Sequence, residues 1–362
     1  MSPESYYYID TKESLAMMCV DLSREDVIGI DLECENNLHH YGAYITLIQI
    51  SSRTKQWIVD MVALDSLGPL RKILTDNSIQ KIFHDVSFDL RILNSQFSCK
   101  PKNVFDTQMA ALLVGKTEIG LGPLLLEYFD VKKQTKFQMA DWTKRPISSA
   151  MLSYAIKDSK YLIQLRDVLL DELKKLNRLD WIKEELELIE SARYNSKAYT
   201  FKDFKGYVHL TDTQRSVLSV LFDLREKYAQ EVDMPIHFVI PNKKLHELIV
   251  NPPKTVSQWH TISGVHPLVK RNASIFFKAV KDAQEKKITI PLKEHKRYNE
   301  EQKALLGSLG DLRDGVADKL GIARHLVMSK DQMHGIVRLK NLDSLRSWQK
   351  KVLMPKIADL VE

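Results

Sequence analysis

Val27-Ile-Gly-Ile-Asp-Leu-Glu33 is an apolar run closed by two acids. β-Branched and apolar residues follow one another until Asp31 interrupts them, which is the pattern of a buried strand. Side chains alternate along a strand, so Asp31 and Glu33 project to the same side at its end. Two carboxylates so placed repel each other unless a cation lies between them. Alone the pair carries little weight. With 47 acidic residues in 362, chance supplies about six pairs at this spacing. Its meaning comes from the segments around it.

Working outward, strand patterns at 6–9, 27–32, 45–51, 56–59 and 79–83 alternate with helical patterns at 12–22, 64–74, 86–97, 107–114 and 121–128. The alternation predicts an α/β layered domain with a mixed sheet over residues 1–190. From Ser148 or Ser149, either of which can cap a helix, apolar residues recur at helical spacing through 189. Residues 191–208 lose that period and read as a linker. An internal repeat follows at a fixed offset of 88: Asp223-Leu-Arg225 returns as Asp311-Leu-Arg313, and Ala229, His237, Val239 and His246 return as Ala317, His325, Val327 and His334. Such a repeat predicts two small all-α modules, at 209–285 and 298–362, joined by a basic connector at 286–297.

Charge divides between the halves. Residues 1–190 hold 23 Lys and Arg against 28 Asp and Glu, whereas 191–362 hold 30 against 19. A basic C-terminal half behind an acidic N-terminal one suggests a polyanion held by one and processed by the other; an ordinary solvated basic surface is the plainer alternative. No run of about 18 apolar residues is present and the N-terminus lacks the features of a signal peptide, so a cytoplasmic protein is expected. Cys19, Cys34 and Cys99 are odd in number and widely spaced, which suggests neither a disulfide framework nor a zinc site.

Three further stretches supply partners for Asp31 and Glu33. In Lys81-Ile-Phe-His-Asp-Val-Ser-Phe-Asp-Leu-Arg-Ile-Leu93 a strand runs into a helix, and Asp89 between Phe88 and Leu90 is poorly explained as a solvated residue. Asp85 and Asp106 each stand where a helix begins and read as N-caps. In Leu152-Ser-Tyr-Ala-Ile-Lys-Asp-Ser-Lys-Tyr-Leu162, Tyr154 and Asp158 are four apart on a helix and share a face. Four carboxylates from a strand end and two helices can hold two hard divalent cations, Mg²⁺ or Mn²⁺, about 4 Å apart, an arrangement for displacement at phosphorus. A phenol has a free pKa of about 10, so Tyr154 suits orienting a water better than acting as an unaided base.

In this order, Asp31-x-Glu33, Phe83-His84 with Phe88-Asp89-Leu90, and Tyr154-x-x-x-Asp158 resemble the Tyr-containing branch of the DEDD exonucleases, and specifically the ribonuclease D family. Leu47-Ile-Gln-Ile50, Phe105-Asp-Thr-Gln108 and Ala140-Asp-Trp-Thr-Lys-Arg-Pro146 continue the resemblance, and the two repeated modules resemble HRDC domains. The resemblance implies a ribonuclease H-like α/β fold and a 3′-to-5′ exoribonuclease that trims RNA 3′ ends, with tRNA precursors as the substrate class. It implies Asp31, Glu33, Asp89 and Asp158 as metal ligands, Tyr154 as the water-orienting residue, nucleoside 5′-monophosphates as products, and a monomer without an obligate protein partner. Lys157 beside Asp158, and Leu32 and Cys34 beside Glu33, are modest departures. A DNA exonuclease of the same superfamily and an inactive RNA-binding scaffold are the alternatives. Gly115-Lys-Thr117 is not a phosphate-binding loop, because Ala110 stands where that motif needs a glycine. His39, His40 and His84 are weak candidates for substrate contact, while Tyr41, Tyr44 and Trp142 suit base stacking or core packing equally.

Overall fold

The structure, a computed structural model, describes residues 5–192, 199–289, 298–354 and 356–361. Most of the basic connector and residues 193–198 of the linker lie outside the described residues. The chain divides into two compact units: Met1–Glu33, Ile45–Tyr194 and Lys296–Glu362 form the first, and Cys34–Tyr44 with Asn195–His295 form the second.

The first unit is built on a six-stranded sheet in the order β1-β4-β3-β2-β5-β6, formed by β1 (Tyr7–Ile9), β2 (Val27–Asn36), β3 (Ala43–Ser51), β4 (Gln56–Asp60), β5 (Gln80–Phe83) and β6 (Val104–Asp106). β3 and β4 pair antiparallel while β1–β4, β2–β5 and β5–β6 pair parallel. The sheet is therefore mixed, as expected. Val27 to Ile30 are buried at its centre. Pairing of β2 with β5 runs from Val27↔Gln80 to Gly29↔Ile82; β2 continues past the expected end at 32 to Asn36, so Asp31 and Glu33 lie within the strand but beyond the part that β5 covers.

Helix ends follow local chemistry. α1 (Lys12–Leu22) begins at a capping box of Thr11 and Ser14. The helix expected at 64–74 is instead α2 (Met61–Leu64) and α3 (Leu70–Thr75), because Asp65 and Gly68 take positive φ and Pro69 follows. α4 (Ser87–Phe97), α5 (Thr107–Val114) and α6 (Leu121–Phe129) come next. The long helix expected after Ser148 is three: α7 (Ser149–Lys160), α8 (Leu162–Lys175) and α9 (Leu179–Ser191), broken at Tyr161 and around Asn177, whose φ is 56°. Gly115 ends α5 at φ 103°, and a side chain there would collide with the carbonyl of Gly321. Its glycine serves a helix end.

The repeat is structural as well. α10 (Asp212–Glu231), α11 (Ile236–Val239) and α12 (Asn242–Val250) return 88 residues later as α16 (Glu300–Leu320), α17 (Arg324–Val327) and α18 (Lys330–Leu339), each starting at the matching position. The first copy continues through α13 (Val256–Thr261), α14 (Pro267–Arg271) and α15 (Ala273–Gln284), and the second through α19 (Ser347–Leu353) and α20 (Ala358–Val361).

Within the second unit, residues 201–208 are not an open linker. They form short 3₁₀ turns that bury Phe204 and Tyr207 against α10 and its neighbours. In the same unit His40 Nδ1 lies 2.7 Å from Asp233, and the Tyr41 hydroxyl donates to Glu226 at 2.7 Å. The second helical copy packs within the first unit. Trp348 stacks on Trp181 of α9 at 4.5 Å between ring centroids, and its Nε1 donates to Glu185 at 2.9 Å.

Candidate active site

Gly29 sets how closely α7 approaches β2. The position a Cβ would take on Gly29 lies 2.8 Å from the Ser159 carbonyl oxygen and 3.1 Å from Leu162 Cβ, so only glycine admits this contact. A buried hydrogen bond of 2.7 Å between the Ser51 and Ser159 hydroxyls closes the same junction. Ser148 accepts from the Met151 amide and fixes the start of α7. Asp158 is thereby brought to the two acids of β2: carboxylate oxygens of Asp31, Glu33 and Asp158 all lie within 4.8 Å of one another.

These three and Tyr154 line a cavity of about 620 Å³ together with Gly120, Gly122, Lys132, Lys133, Thr135 and Gln138. Asp89, in the first turn of α4 and buried, neither joins the 4.8 Å group nor lines the cavity, but its charge acts on Glu33 and it feels that of Asp31. Burial, and then the Asp158 charge, push the Asp31 carboxyl up to about 7 against the opposing pull of Lys133. Glu33 is raised by burial and by Asp31 and Asp158, and Asp89 by burial and Asp31. Asp158 is raised by burial although Lys133 counters it. The donor set is wholly carboxylate oxygen, crowded and short of positive charge, which suits hard divalent cations.

Tyr154 is buried, with Phe137 edge-on at 5.7 Å and Trp142 at 6.1 Å. Burial and the neighbouring acids push its phenol up, so the hydroxyl keeps its proton. Trp142 is held from behind. Arg145 donates to both oxygens of Asp60 at 2.6 Å and to the Trp142 carbonyl at 2.8 Å, and Asp60 also accepts from Tyr8. Trp142, 3% exposed, is therefore a packing residue behind Tyr154.

Asp85 is not a helix cap. It takes φ 61°, and its amide and that of Val86 donate to Asp106, which also accepts from Gln108 to cap α5. One buried carboxylate thus serves two helix starts, and Asp85 itself is exposed. His84 is half-buried with Nδ1 2.9 Å from the Thr107 hydroxyl, and desolvation of its ring lowers its pKa to about 4. His39 and His40 belong to the second unit, and neither they nor His84 line the cavity. Lys133 is the residue that sequence reasoning missed: its Nζ lies 2.8 Å from Asp158. Nothing in a stretch with lysines at 132, 133 and 136 marks the one that pairs with Asp158.

Residues 6–174 match the 3′-5′ exonuclease family and residues 214–280 match the HRDC domain. The chain carries a 3′-5′ exonuclease domain and an HRDC domain. The ribonuclease D resemblance is borne out. The chain is similar to ribonuclease D of Desulfotalea psychrophila (26% identity, covering 91% of this chain and 90% of that protein). It is also similar to the exosome complex component 10 homolog of Caenorhabditis elegans (28% identity, 86% of this chain). It spans only 36% of the length of that relative. The solved structure of Escherichia coli RNase D superposes with a TM-score of 0.76 over 99% of both chains at 22% identity, a likeness of fold. Within the exonuclease domain, Asp31, Glu33, Tyr154 and Asp158 share one cavity. Among the described residues no helix is long and apolar enough to cross a membrane.

Proposed function

We propose that the protein is a metal-dependent 3′-to-5′ exoribonuclease that removes nucleoside 5′-monophosphates from RNA 3′ ends, tRNA precursors being its substrate class. The observation that carries this reading is the convergence of Asp31, Glu33 and Asp158 within 4.8 Å, in a cavity shared with Tyr154. Asp31, Glu33 and Asp158 would hold one divalent cation, and Asp89 with Asp31 a second. Such ions supply Lewis acidity at phosphorus and make water a nucleophile at neutral pH. The chain's own residues do the rest. Tyr154, kept protonated and wedged by Phe137 and Trp142, orients the attacking water through its hydroxyl. Gly120, Gly122 and Gln138 line the same cavity and would receive the terminal nucleotide.

RNA as substrate is supported by the likeness to a ribonuclease D over nearly its whole length. 5′-Labelled RNA and DNA of matched sequence, incubated with Mg²⁺ or Mn²⁺ and with chelator, test the reading. A metal-dependent ladder shortening from the 3′ end of RNA is expected. A ladder from DNA alone would assign a DNA exonuclease, and no ladder from either would leave a scaffold.

A further inference from the structure

Lys133 stands out among the residues lining the cavity. It lies in the connection between α6 and α7, where residues 130–148 form no helix. Its Nζ is 2.8 Å from Asp158 Oδ1, and that carboxylate is 6% exposed while the lysine is 23% exposed. The same Nζ stands 5.9 Å from the Tyr154 ring centroid. The ammonium therefore sits on an oxygen of the three-carboxylate group, where a divalent cation would bind. An ammonium on a four-carbon stem is a mobile point charge. An oxygen already holding it is a poorer metal ligand, and a divalent ion placed beside it meets like-charge repulsion in a poorly screened site. A divalent ion bound there would therefore drive the side chain away from Asp158. The cavity it then faces must take a phosphodiester chain, and Lys132, Thr135 and Gln138 line the same space with further donors.

We propose that Lys133 is a tethered counter-cation of the carboxylate site. It pairs with Asp158 while the site is empty, yields to the divalent cation, and then contacts a phosphate of the bound strand as a positioning residue. The inference rests on the reading of Asp31, Glu33 and Asp158 as metal ligands.

The test uses the full chain as wild type, Lys133→Met, Lys133→Gln and Asp31→Asn. Free Mn²⁺ is followed by electron paramagnetic resonance without nucleic acid, and kcat and KM are then measured on a single-stranded RNA. Lys133→Met and Lys133→Gln are expected to bind Mn²⁺ about tenfold more tightly, since a competing charge is gone. Their KM should rise about tenfold, the loss of one charged contact, with kcat nearly unchanged. The Gln variant keeps a polar side chain, so the experiment stands if the Met variant fails to fold. Unchanged or weaker Mn²⁺ binding by a folded variant overturns the counter-cation role, and an unchanged KM overturns the phosphate contact. Failure of the wild type to bind Mn²⁺, or wild-type binding by Asp31→Asn, would instead contradict the metal-site reading.

Discussion

Gly29 and Ser159 touch across the junction of β2 and α7, the position of a Gly29 Cβ falling 2.8 Å from the Ser159 carbonyl oxygen. Asp31 lies two residues beyond one partner and Asp158 immediately before the other. The contact therefore sets the spacing of two acids on separate elements. Gly29→Ala is expected to force β2 and α7 apart, destabilising the fold by about 1–3 kcal/mol and lowering turnover more than substrate affinity. Denaturant melts beside kcat and KM measure both, and wild-type values for both would show that the junction does not position the acids.

Tyr154→Phe removes a hydroxyl and leaves the ring between Phe137 and Trp142. Turnover should fall by about 10²–10⁴, the range for a positioned proton-transfer group, with little change in RNA affinity. Single-turnover rates and a separate binding titration check this. Weakened binding with intact turnover would make Tyr154 a substrate-packing residue.

The acid cluster gives the metal-free protein a definite pH dependence. Asp31 is raised to about 7, and Glu33, Asp89 and Asp158 are raised too, all by burial first. The folded state therefore keeps protons that the unfolded chain releases near pH 4. That stabilising contribution is present below about pH 4 and is lost as pH rises through about 7. Melting temperatures in EDTA should fall between pH 5 and 8, added Mg²⁺ or Mn²⁺ should reverse the fall, and Asp31→Asn should shrink it. A metal-free wild type that gained stability over that range would contradict the electrostatics.

Trp348 ties the second helical copy to the exonuclease domain through Trp181 and Glu185, with Arg346 2.6 Å from the same carboxylate. Trp348→Ala should cost about 3–5 kcal/mol, as for other large buried aromatics. Deleting 298–362 should lower the melting temperature further by exposing Trp181. Calorimetry measures both, and an unchanged melting temperature in the truncated chain would mean that α16–α20 do not support the catalytic domain.

Where a residue's role is local, the sequence made it legible. Lys12–Leu22 and Thr107–Val114 have the expected bounds because Thr11 and Asp106 cap their starts and, for the second, Gly115 ends it. Asp85 was misread because its position suits a cap equally well, and only the fold brings Asp106 across to take both amides. β6 was not foreseen as a strand, since three residues carry no period. The pairing of Lys133 with Asp158 has no local signal. Gly29 had one, for a glycine inside a strand marks a close backbone approach, but the sequence does not say what approaches. The acids themselves were legible because their order along the chain is distinctive.

Single-turnover hydrolysis of a 5′-labelled RNA by Asp31→Asn and Asp158→Asn at saturating Mg²⁺, with RNA affinity measured alongside, tests the metal site most directly. Both substitutions remove an anionic ligand while keeping side-chain size and relieving repulsion. Each variant is predicted to fold, to bind RNA within a few-fold of wild type, and to lose roughly 10³ or more in rate. Near-wild-type turnover by either folded variant would contradict the assignment of these carboxylates as the metal site.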